Sequence, residues 1–183
     1  MNRQSFKGIS NRGRRLLAQQ EGETLDFKAH PDGLHADDLV AFANSEQGGA
    51  ILIGISETVT EDGLQGTEVT GCEIGDDAKL SILNRASTCI PAVPVEIYFE
   101  NTAETPFIRI EIPGSHRRPH CTASGTYKIR VDGRNQALTP GELLAIFMDR
   151  EGEKFFHRFT TVTEDLKTAV DDLRQSLKDG GSC

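Results

Sequence analysis

The sequence predicts an α+β fold, a mixed β-sheet flanked by helices, with helical extensions at both ends. Three observations predict it. Residues 50–55 (Ala-Ile-Leu-Ile-Gly-Ile) are a continuous apolar, isoleucine-rich run typical of a central strand covered on both faces. Residues 93–99 and 107–112 alternate apolar and polar about the turn-prone segment 101–106, as an antiparallel hairpin does. Leu39, Phe42 and Ala43, and later Leu80, Leu83 and Ala86, recur at helical spacing between those strands.

Taken in order, residues 5–20 read as a basic helix anchored by Ile9, Leu16 and Leu17 and weakened by Gly8 and Gly13. Residues 24–28 are a short strand. Asp32-Gly33 turns the chain into a helix whose first turn carries Asp37 and Asp38, where the helix dipole favours acids. Gly48-Gly49 leads to the central strand and suits tight turning and close packing. Residues 63–71 form a loop or hairpin. The helix of residues 76–89 stops before Pro91. Residues 126–131 are a further strand closed by Asp132-Gly133. Thr139-Pro-Gly-Glu142 carries helix-start spacing and leads into a helix through Met148. Thr161-x-x-Glu164 repeats that spacing and predicts a separate last helix over residues 161–178. Its Val162, Leu166, Val170, Leu173 and Leu177 lie four, four, three and four apart, as in a short coiled-coil seam and hence a homodimer. The expected organisation is a basic helix (1–20), a core (21–148) and a helical extension (149–183).

With 183 residues and 37% hydrophobic content the chain can bury one sizeable core. No run is apolar and long enough to span a bilayer, and residues 1–5 lack a signal peptide's apolar segment. Cys72, Cys89, Cys121 and Cys183 stand far apart with no C-x-x-C pair, which speaks against a zinc knuckle and for reduced thiols; the expected location is the cytoplasm. No G-x4-G-K-[ST] loop exists, so ATP hydrolysis is not expected. Net charge is −8, the wrong sign for coating nucleic acid over the whole surface, but its distribution is uneven. Arg3, Lys7, Arg12, Arg14 and Arg15 precede the first acid, and Arg117, Arg118, Lys128, Arg130 and Arg134 form a second basic group. The acids gather at Asp37-Asp38, Glu61-Asp62, Asp76-Asp77 and the last thirty or so residues. Each run alone suits a solvated face; the two basic groups together suit a phosphate-binding surface.

Four segments, in order, resemble the Schlafen/AlbA-like nucleic-acid-binding family in a single-lobe, bacterial-type form. They are Glu21-x4-Asp26-Phe27-Lys28, then Phe42-Ala-Asn44-Ser with Gly48-Gly-x-Ile-Leu-Ile-Gly54-Ile, then Arg118-Pro-His120 before a strand, and Tyr127-Lys-Ile-Arg130-Val-Asp-Gly133-x-Asn135. Ile90-Pro91 ending a helix fits as well, and the likeness covers roughly residues 17–147. It departs in three places: an extra residue in 44–48, Ser56-Glu57 where the family often has two aspartates, and Gly133 one position late.

The resemblance implies a core that binds RNA or DNA, and two finer readings. Animal Schlafen proteins use three acids as a divalent-metal endoribonuclease site on tRNA-like and ribosomal RNA; carried over, these are Glu21, Asp26 and Glu57. Hard carboxylate oxygens suit Mg²⁺ or Mn²⁺, which would neutralise a scissile phosphate, with Lys28 on the same strand face as Asp26 to support developing charge. Many bacterial members are instead DNA-binding or regulatory modules, a reading that leaves room for an unidentified protein partner. In that reading Glu21 is solvated at a helix–strand junction and Asp26–Lys28 is a same-face ion pair. Animal Schlafens carry two such lobes around a cleft, which a homodimer of this chain would rebuild. His116-x3-His120-Cys121 has metal-ligating residue types, but Pro119 disfavours helical presentation, leaving a loop phosphate contact or plain surface.

Overall fold

The strand Leu25–Lys28 (β1) lies parallel to Gly48–Ile53 (β2), with Leu25 opposite Ala50 and Lys28 opposite Ile53. Phe107–Pro113 (β6) runs antiparallel on the other side of β2, and Glu96–Glu100 (β5) antiparallel to β6, giving the order β1-β2-β6-β5. This is a computed structural model, and it describes residues 4–59 and 65–179. Arg3, the loop pair Glu61-Asp62 and Cys183 lie outside the described residues. Two hairpins complete the strands. Ile55–Val59 (β3) pairs with Gln65–Val69 (β4), and Lys128–Val131 (β7) with Arg134–Ala137 (β8).

The alternation of apolar residues explains the layering. Ile51 and Ile53 on β2, with Ile108, Ile110 and Ile112 on β6, face one side and bury against the helices Ala36–Asn44 (α2) and Asp76–Thr88 (α3). Leu25, Phe27, Ala50, Leu52 and Phe107 face the other side, under the helix Asn11–Leu17 (α1) through Leu16. With both faces of β2 covered, its unbroken apolar run is what its position requires. The glycines at its start are steric necessities: Gly48 has φ +66, and a Cβ on Gly49 would sit 2.4 Å from the Phe42 ring.

Three expectations need correction. The N-terminal helix covers residues 11–17 rather than 5–20. Ser10 caps it by accepting from the Gly13 N–H, and upstream the backbone instead bonds to the edge of β5, Phe6 N–H donating to Phe99 O. The last two helices are one, Pro140–Asp179 (α4). Its start is the expected one, with Glu142 accepting from both the N–H and the hydroxyl of Thr139. Thr161-x-x-Glu164 is helix interior, the Thr161 hydroxyl bonding back to His157 O, because no strong breaker separates the two halves. Finally, β8 has no counterpart in the expectations. Asp132 and Gly133 (φ +48 and +73) turn β7 into it with the two left-handed residues that a tight hairpin needs.

Candidate nucleic-acid interface and its acid network

Asp26 and Lys28 share a face of β1, as expected, but they do not stand alone. Arg130 of β7 reaches Asp26 with Nη2 2.6 Å from Oδ1, and Lys28 Nζ lies 2.5 Å from Asp26 Oδ2. Arg130 Nη1 donates to Asn135 Oδ1 at 3.1 Å, and Asn135 Nδ2 to Asp38 Oδ1 at 2.6 Å. Lys28 Nζ closes the circuit 3.9 Å from Asp38 Oδ1. Two carboxylates, an ammonium, a guanidinium and one amide form a charge-balanced ring joining β1, α2 and the β7–β8 hairpin. The Asp26 and Arg130 side chains are 4% and 3% exposed, so each carries the other's desolvation. Arg130 also donates to Gly22 O and lies over the Phe42 ring, 5.0 Å from its centroid. It was expected at the phosphate surface; it is committed to the core instead.

Glu21 has a local task. Its Oε1 accepts from the Phe27 N–H at 2.5 Å, satisfying a donor on the outer edge of β1. Burial pushes its carboxyl above the ordinary value; the Phe27 bond opposes this, the charges of Asp26 and Glu57 add to it, and Lys28 opposes it. Glu21 therefore feels the charges of both other acids. Glu57 itself is exposed on β3, lining a groove of about 160 Å³ with Gln19, Gln20 and Phe27. The residues do not fit a metal in this arrangement: Asp26 is ion-paired to two cations, although its buried Oδ2 accepts no hydrogen bond, Glu21 is turned to the backbone, and among the described residues no three His, Cys, Asp or Glu side chains are placed to share one ion.

The basic residues divide into held and free. Arg12 makes a two-pronged pair with Glu111 at 2.9 and 3.1 Å, Arg118 contacts Asp149 and Glu46, and Lys128 stands 3.8 Å from Asp37. Arg14, Arg15, Arg117 and Arg134 are exposed, and no ion pair joins them to an acid among the described residues. Around residues 46–48 three grooves adjoin: one of about 520 Å³ reaching Arg12 and Gln19, one reaching Ile129, and one lined by His116 and Arg118. One member of the first basic group, Arg12, and two of the second, Arg118 and Arg130, thus line adjoining grooves at the same end of the sheet.

The structural roles of several residues escaped the sequence reading. Asn44 donates to His120 O and Lys128 O and accepts from the His120 N–H at 2.7 Å, which pins the end of α2 to two distant segments. His120 is buried, Nδ1 2.7 Å from Pro91 O, and is neither a loop phosphate contact nor plain surface. Arg109, buried on β6, pairs with Glu100 at 2.9 Å and Glu111 at 2.5 Å beneath Tyr98. The signal for it was faint: two charged residues two apart on β6, Arg109 opposite Tyr98 and Glu111 opposite Glu96 of β5.

A four-stranded mixed sheet, covered by helices and carrying an acid-and-arginine ring at one edge, defines an α+β domain of a recognisable family. The Schlafen, AlbA_2 family matches residues 21–139, and the chain belongs to it. Among solved structures, the N-terminal domain of a protein related to the ATP-dependent DNA helicase RecG, from Nitrosomonas europaea, is similar with a TM-score of 0.53 at 18% identity, covering 67% of this chain and 87% of that one. The DIP2311 protein from Corynebacterium diphtheriae has a TM-score of 0.48 at 16% identity, covering 77% of this chain and 29% of that one. No curated protein matches.

Proposed function

We propose that this chain is a nucleic-acid-binding domain that contacts phosphates through Arg14, Arg15 and Arg117, and that its acid ring is architectural. The observation that carries the reading is the set of exposed arginines without acid partners in a protein of net charge −8. Stray surface arginines in so acidic a chain have many carboxylates to pair with; these stay open to solvent. Family membership and the fold shared with a RecG-related domain support the same reading. Fluorescence anisotropy with labelled RNA and DNA tests it. Binding that weakens at least tenfold when all three arginines become alanine supports it, and unchanged affinity refutes it.

The finer reading, a divalent-metal endoribonuclease on Glu21, Asp26 and Glu57, has one observation in its favour: the charges of Asp26 and Glu57 help to raise the Glu21 carboxyl. It would require Asp26 to exchange its two cations for an ion, against a closed and neutral ring. Incubating the protein with tRNA in Mn²⁺ or chelator separates the readings. The architectural reading expects no metal-dependent cleavage; cleavage by the wild type that is lost in the exposed-site variant Glu57→Gln would establish the endoribonuclease.

A further inference from the structure

At 1.5 Å per residue α4 is about 60 Å long, and among its described side chains only those before residue 155 touch the domain. Arg118 holds Asp149 at 2.9 Å; every side chain over residues 155–175 is exposed. Along that free half Phe155, Phe159, Val162, Leu166, Val170 and Leu173 follow in steps of four and three, five turns in eighteen residues. That is 3.6 per turn, the period of a straight helix, so the stripe keeps to one face for about 27 Å. Phe159, Val162, Leu166 and Leu173 are each more than 60% exposed. Apolar residues so aligned, on a helix that the domain does not cover, require another surface.

Charge says which one. Residues 155–163 carry His157 and Arg158 and no acid, whereas residues 164–172 carry four acids against Lys167. Parallel pairing with a second copy would lay the acidic stretch on itself. Antiparallel pairing lays it on the basic one. Rotating α4 about a two-fold axis beside Val162 also returns the stripe onto itself: Phe159 falls opposite Leu166, Phe155 opposite Val170, and Val162 meets its own mate. Each large ring thus faces a smaller aliphatic side chain, and Arg158 flanks the same seam edge as Asp165 of the second copy. We propose that α4 is an antiparallel homodimerisation helix whose occupant is a second copy of this chain, in an isologous contact centred on Val162.

Light scattering on the full chain under reducing conditions tests this, with circular dichroism to verify that each variant is folded. The wild type should be a dimer at tens of micromolar and Leu166→Glu a monomer. Arg158→Glu should weaken the dimer roughly tenfold, because two symmetry-related contacts turn repulsive, and adding Asp165→Arg should restore it. A monomeric wild type would overturn the proposal and leave the stripe to another protein. A dimer that ignores Leu166→Glu, or an Arg158→Glu defect that Asp165→Arg does not rescue, would overturn the seam or its antiparallel sense.

Discussion

At the scale of single residues, Asp26 shows how an acid comes to stand in an apolar strand. Its carboxylate is buried because Arg130, from 104 positions along the chain, and Lys28 accompany it. Removing one member leaves cations without a counter-charge. Asp26→Asn should therefore cost on the order of 3 kcal/mol in urea unfolding, with or without Mn²⁺. An acid whose main task is to share a metal with other acids behaves oppositely, since its neutralisation relieves repulsion; stability equal to or above wild type would count against the ring. Glu21 links stability to pH. Its folded-state proton affinity is raised, mainly by burial, so the folded state binds protons more readily than the unfolded chain. Its stabilisation is complete below the ordinary carboxylate range and lost as pH rises through that range and above it. Relative to Glu21→Gln, the wild type should lose thermal stability over that rise.

Elements are joined by a few such contacts. Burial alone would raise the Glu111 carboxyl, but hydrogen bonds from Arg12 and Arg109 outweigh it and hold it below its usual range. That contribution is present above the ordinary value and disappears as pH falls through the depressed one. Measured by thermal unfolding from pH 5 downward, wild type should lose stability relative to Glu111→Gln, as the contact between α1 and β6 is released. At the start of α4, Thr139→Ala removes a cap bonded to Glu142 and should cost about 1 kcal/mol, read from unfolding of the full chain; no change would mean that packing alone sets the helix start.

The same elements show what the sequence could reveal. Strands β2, β5 and β6 were legible because burial on one or both faces writes apolar runs and alternation into them. The hairpin strand β8, Arg-Asn-Gln-Ala, was not: it buries little, so no apolar pattern marks it. Residues 5 and 6 were read as helix because the pairing of this segment with Phe99 uses backbone groups, which leave no residue signature. Thr161-x-x-Glu164 has the composition of a helix start without its geometry. Within the site, the shared face of Asp26 and Lys28 followed from strand period, whereas Arg130 was assigned to phosphate because a basic residue near a strand end looks the same whether its partner is solvent or a distant acid.

For the whole molecule, the central claim is that an acidic domain binds nucleic acid through a small set of uncommitted arginines. Binding of that kind releases counterions from the phosphates, so its salt dependence counts the contacts directly. The decisive measurement is the slope of log affinity against log salt for wild type and for the Arg14→Ala/Arg15→Ala/Arg117→Ala variant, with labelled RNA and DNA. A steep wild-type slope that becomes shallower by roughly two to three in the variant, about 0.7–0.9 per lost contact, is the predicted result. Parallel slopes for the two proteins, or binding that does not respond to salt, would contradict it.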